Sequence, residues 1–288
     1  MKDWSLIIFT IVMQGAVGIF IASWLLGMLR PDQQGRTRYL PWIGALGLVG
    51  VIASLTHLGS PELAYLTMRN VGRSWLSREI LGVTLFGGAW LISAVLEYRN
   101  LGTPRVRDAW HAVTAICGLG LIFVMSMAYR FFVVPSWNTA ATTAGFYATA
   151  GLIGTTAVLC GELFATRKQN DAKPAPQDLT WLAIAAMGFV GLQVLTIVTR
   201  GVYLGGAGPE AQATAAMLAG SWFPLLVIRL ICLGIGGAVL MAWTMRQWAV
   251  GQKVARLVPV TVAAFVLVAA GELMDRVLFF ASRVQIGQ

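Results

Sequence analysis

Eight predominantly apolar stretches divide the chain, at roughly 4–29, 39–57, 79–97, 106–128, 142–165, 179–204, 221–246 and 256–282. Crossing the hydrocarbon of a bilayer takes about 20 such residues as a helix but only about 10 as a barrel strand. Every run has the helical length, and a segment in lipid must satisfy its own backbone hydrogen bonds. The sequence therefore reads as an all-α polytopic membrane protein with eight transmembrane helices, forming one transmembrane domain over residues 1–288. The charged fraction agrees: at 11%, against 57% hydrophobic residues, it is too small to cover a soluble domain of this size.

The first run is expected to stay as a helix. Asp3 stands where the basic region of a signal peptide would lie, and no small-x-small site closely follows the run. Pro41, Pro224 and Pro259 are expected in the first turns of spans, where a missing N–H costs nothing. No proline falls mid-span, so no broken helix is expected. The polar segment 166–178 reads as a surface loop, and no internal repeat is evident.

Eight spans put both termini on one side. The connections after spans one, three, five and seven carry Arg30, Arg36, Arg38, Arg99, Arg105, Arg107, Arg167, Lys168, Lys173, Arg246, Lys253 and Arg256, twelve of the 21 basic residues. The opposite face carries eight, and Arg229 lies inside span seven. The positive-inside rule places the twelve in the cytoplasm and both termini on the outer side. The net charge of +9 is mostly this signal together with affinity for anionic membrane lipid. Nucleic acid is not an expected partner, because no soluble basic surface is present.

The connection "THLGSPELAYLTMRNVGRSWLSRE", residues 56–79, runs against that rule. It holds three arginines, two glutamates and one of the two histidines. Arg69 and Arg73 are four apart, so a short helix would show both on one side. His57 and Glu79 flank the hairpin between spans two and three. A carboxylate holding one ring nitrogen would orient the imidazole and raise its basicity, letting the pair accept a hydroxyl proton. The plainer alternative is an interfacial ion pair, with Glu79 answering Arg78 or Arg73.

Other chemistry is sparse. Cys117, Cys160 and Cys232 lie singly in three spans and read as buried and inert, so no metal site or iron–sulfur cluster is expected. His57 and His111 belong to opposite membrane faces and cannot clasp one haem. Arg229 must face the bundle interior and find a carboxylate, with Glu272 and Asp275 as candidates. Glu272 and Arg276, four apart, are expected to pair along the last helix. Gln14 and Gln193 could donate hydrogen bonds to a ligand or to another helix.

Several segments resemble one family, the membrane-anchor subunits of dimethyl sulfoxide reductase, the DmsC type. They are "LIIFT" with "QGAVGIFI" in span one, "HLGSP" and "RNVGRSWLSRE" over 57–79, "VPSW" at 134–137, and "AGELMDRVLFF" at 270–280. "LIFVMSMAYR" and "WFPLLVIRL" fit more loosely; in the latter, Trp222 and Arg229 stand seven apart where the family pattern would have them adjacent. The resemblance implies a multi-pass anchor that oxidises menaquinol and passes its electrons to a ferredoxin-like iron–sulfur subunit, which serves a molybdopterin catalytic subunit. It implies no haem or tightly bound cofactor in this protein, and it assigns His57 and Glu79 to the quinol site. Gln14, Ser60, Arg69, Asn70, Arg73 and Arg78 would support that site, while Arg229, Glu272 and Arg276 would be structural or belong to it. The rival readings are a purely structural tether, a small-molecule or proton transporter, which the lack of repeats and broken helices opposes, and a haem-bearing quinol oxidoreductase.

Overall fold

The computed structural model describes residues 3–30, 35–56, 61–130, 133–169 and 179–284. His57 and Ser60 lie outside them. The protein forms two compact units, Met1–Phe131 and Phe132–Gln288.

In the first unit, α1 (Trp4–Leu29) packs on α2 (Gly35–Thr56), and α3 (Trp75–Tyr98) on α4 (Pro104–Tyr129). Contacts between α1 and α4 and between α2 and α3 complete the bundle. A 3₁₀ helix, Pro61–Asn70, occupies the connection before α3. The packing of α1 on α4 needs a glycine at Gly118, where a Cβ would come within 2.8 Å of Val17 Cγ1. Small residues at such crossings let backbones approach where lipid supplies no hydrophobic drive. Leu48, Ile52, Leu91 and Ile116 are exposed on the outside of the unit, as a surface solvated by acyl chains requires.

The second unit contains α5 (Ala140–Gln169), α6 (Thr180–Gly206), the short α7 (Pro209–Ala219), α8 (Phe223–Leu233), α9 (Leu240–Ala249) and α10 (Val254–Ala281). The last of these packs on α5, α8 and α9. Trp137 of the VPSW segment secures its end, donating Nε1–H to the Phe279 carbonyl at 2.9 Å and stacking on the Phe279 ring.

Eight helical stretches among the described residues are long and apolar enough to cross a membrane, and each falls on an expected run. Three details differ from expectation. The seventh span, Phe223–Ala249, is not one uninterrupted α-helix: a π-helical segment, Gly234–Val239, joins α8 to α9. Glycine composition, rather than proline, permits it. A Cβ on Gly236 would meet Leu267 Cβ at 2.8 Å, and one on Gly237 would meet Val190 Cγ2 at 2.4 Å. Second, Pro41 and Pro259 lie inside helices that begin earlier, at Gly35 and Val254; only Pro224 has the expected first-turn position. Third, Cys117 and Cys160 are half-buried and Cys232 alone is buried, because α4 and α5 each leave part of their surface uncovered.

Candidate functional site

The stretch before α3 folds by local chemistry. Ser74 caps the helix, its hydroxyl accepting the Ser77 N–H at 3.3 Å. The Asn70 carbonyl accepts the N–H groups of both Arg73 and Ser74 at 2.9 Å, closing the turn that leaves the 3₁₀ helix. Arg78 clamps the same turn, donating Nε–H to Val71 O and Nη2–H to Gly72 O, each at 2.9 Å, while its guanidinium lies 4.3 Å from the Trp75 ring centroid. Arg69 and Arg73 do not share a helix face. The first lies in the last turn of the 3₁₀ helix and the second in the turn beyond it, both exposed.

Beside this turn is a cavity of about 950 Å³, where α1 and α3 begin and α2 and α4 end. Leu6 and Phe9 of α1, Val51 and Leu55 of α2, and Ala128 and Tyr129 of α4 form its walls. From α3 come Leu76, Glu79, Ile80, Val83, Thr84 and Gly87, spaced as one helical face. Leu55, Leu76 and Thr84 are also exposed at the protein surface, so the cavity opens laterally between α2 and α3. Its volume is that of a typical organic-ligand site, and its walls are mostly apolar with a few polar groups among them.

Glu79 is the decisive group. Its side chain is buried, and Oε1 has no hydrogen-bond partner among the described residues. A buried acceptor left unmatched costs on the order of 1–3 kcal/mol, more if charged, and such a group in a cavity wall is suited to meet a donor on a ligand. Its place in the second turn of α3 sets any negative charge near the positive end of the helix dipole. Arg73 also lines the cavity, with Thr67 and Ser74 beside it.

Of the other expected residues, Gln14 is fully buried in α1 and Arg78 is committed to the turn; neither lines the cavity, nor do Arg69 and Asn70. The other histidine, His111, is a packing residue of α4. Its Nδ1 is 2.6 Å from Arg107 O, its Nε2 is 3.7 Å from Glu97 Oε1, and its ring stacks on Phe20. The α1 and α4 walls lie in segments that resemble the family, but neither they nor Thr67 stood out as site residues, because they become a site only when four helix ends meet.

The family model described as DMSO reductase anchor subunit (DmsC) matches residues 1–281. The chain belongs to that family. It is 27% identical over 293 residues to the YnfH subunit of an anaerobic dimethyl sulfoxide reductase of Escherichia coli K12, covering 99% of this protein and 96% of that one. It is 29% identical to the C subunit of an anaerobic dimethyl sulfoxide reductase of the same strain, with the same coverage. Against the C subunit of the Haemophilus influenzae enzyme, identity is 34% over 58% of this protein and 60% of the relative. This DmsC-family member is a multi-pass membrane protein.

Its second unit buries a polar network. Arg229 Nη2 lies 3.0 Å from Asp275 Oδ1 and donates to Gln193 Oε1 at 3.1 Å. Gln193 Nε2 in turn donates to Glu272, 2.9 Å from each oxygen. The expected direct pairing of Glu272 with Arg276 is replaced by a bridge. Arg276 Nη2 donates to Thr149 Oγ1 at 3.1 Å, and that hydroxyl donates to Glu272 Oε2 at 2.5 Å. Thr149, on α5, stands between the two side chains, and Arg276 turns its guanidinium over the Phe146 ring, 4.0 Å from the centroid.

Proposed function

We propose that this protein is the quinol-oxidising membrane anchor of a dimethyl sulfoxide reductase-type complex, held in the inner membrane with both termini on the periplasmic side. The observation that carries the reading is the buried Glu79 carboxylate, lacking a described partner and facing a large apolar cavity with a lateral mouth.

A menaquinol would enter between α2 and α3, its isoprenoid tail remaining in lipid and its ring against Phe9, Trp75 and Ile80. One quinol hydroxyl would donate to Glu79, and Arg73 would donate to the second oxygen. His57, the residue after the last of α2, is assigned the role of receiving that first proton with Glu79. Oxidation of the quinol releases two protons and two electrons. The protons would pass to the aqueous side beside the mouth, and the electrons to the nearest cluster of a ferredoxin-like iron–sulfur subunit and on to a molybdopterin subunit. The exposed Arg69 and Arg73 would offer an acidic partner surface complementary charge.

The test is His57→Ala in the assembled complex, with quinol-dependent acceptor reduction measured against reduction driven by a soluble dye that bypasses the anchor. The reading requires the first rate to collapse and the second to survive. Quinol turnover at the unaltered rate would leave only the tether.

A further inference from the structure

The second unit contains a cavity of its own, about 260 Å³ in volume, among α6, α7, α8 and α10. Its walls are apolar, including Leu204, Leu218 and Leu226, but Arg200, Arg229 and Asp275 also line it. The charges do not balance. Among the described residues, Arg229, Arg276 and Arg200 gather around two carboxylates, Asp275 and Glu272. Asp275 is engaged by Arg229 at 3.0 Å and by Arg276 at 3.9 Å, and Glu272 by Gln193 and Thr149.

Arg200 is the remainder. Among the described residues no carboxylate lies within ion-pairing distance of it, and its guanidinium instead faces the Phe279 ring, 5.7 Å from the centroid. Its Nε is buried without a hydrogen-bond partner, and so is the Nε of Arg229, a side chain only 3% exposed. Two guanidinium groups lining one apolar cavity thus each retain an unused donor. Leaving such donors unmatched is costly, and the excess of one positive charge asks for one negative charge.

We propose that this cavity binds the phosphodiester headgroup of an anionic membrane phospholipid, with Arg200 and the free Nε–H of Arg229 as its donors. Depth favours the lipid over a dissolved anion. The 27-residue α6 is about 40 Å long, and centred upright on a hydrocarbon thickness of about 30 Å it would overhang by about 5 Å at each end. Arg200 stands six residues from the end of α6 at Gly206, about 9 Å along the axis, hence roughly 4 Å inside the hydrocarbon boundary. A long side chain covers that distance to a headgroup. Gly201, Ala219 and Phe223 line the cavity and are exposed, giving acyl chains a way out to the bilayer. A neutral headgroup or quinone would leave the extra charge unanswered.

The test is native mass spectrometry of the purified, delipidated complex titrated with phosphatidylglycerol, phosphatidylethanolamine or inorganic phosphate, for the unaltered protein, Arg200→Gln and Arg200→Lys. The unaltered protein should retain phosphatidylglycerol preferentially. Arg200→Gln should weaken that retention on the order of tenfold or more, the loss expected for a charge-assisted hydrogen bond. Arg200→Lys, which keeps the charge, should recover most of it and shows whether a weak result reflects misfolding. Equal retention by Arg200→Gln, or no preference over phosphatidylethanolamine, overturns the proposal. Saturation by inorganic phosphate with no response to phosphatidylglycerol overturns the lipid assignment.

Discussion

Replacing Glu79 by glutamine separates chemistry from packing unusually well. The two side chains have nearly the same shape, and Oε1 has no described protein partner to lose. The substitution also removes any negative charge the buried group would carry, so the variant should assemble with a thermal midpoint unchanged or higher. Catalysis should behave otherwise. An amide cannot take a proton from a quinol hydroxyl, and general-base assistance contributes on the order of 10²–10⁴ in rate. Quinol-dependent turnover of the complex in proteoliposomes should fall by that factor, about 2.7–5.5 kcal/mol of barrier. Turnover driven by a reduced viologen supplied to the soluble subunits should be untouched. Quinol turnover within about threefold of normal, in a complex shown to be assembled, would refute the role of this carboxylate.

Further outcomes rest on other contacts. Arg73→Gln should raise KM for quinol more than it lowers kcat, by roughly 10- to 100-fold, because it removes a charge-assisted donor from the cavity wall. Unchanged steady-state constants would remove Arg73 from the site. Asp275→Asn leaves Arg229 without its 3.0 Å counter-ion and should destabilise the second unit by about 3–5 kcal/mol, read as a lower unfolding midpoint in detergent. Gly237→Ala puts a methyl group 2.4 Å from Val190 Cγ2 and should cost about 1–3 kcal/mol, which Val190→Ala should partly recover.

The eight spans were legible because lipid imposes a length and a composition that few other environments require. The need of Arg229 for a carboxylate was legible for the same reason, and Asp275 supplies it. The Glu272–Arg276 spacing misled, because helical proximity says nothing of a third residue such as Thr149 coming between from α5. The π segment was hidden because "GIGGAV" is as apolar as any α-helical run. Val190 and Leu267 approach its glycines too closely to leave room for a Cβ. In the first unit, charge clustered in one hairpin drew attention to Glu79, and the family resemblance of "RNVGRSWLSRE" gave it a role. The cavity it faces is assembled from four helix ends, none of which marks it alone.

Photoaffinity labelling of the assembled complex with an azido-naphthoquinol, followed by peptide mass spectrometry, addresses the quinol site directly. The label should fall on peptides carrying Phe9, Leu55, Trp75 and Tyr129, and an excess of unlabelled menaquinol should suppress it. Labelling confined to peptides of the second unit, or spread over lipid-facing residues without competition, would contradict the assignment.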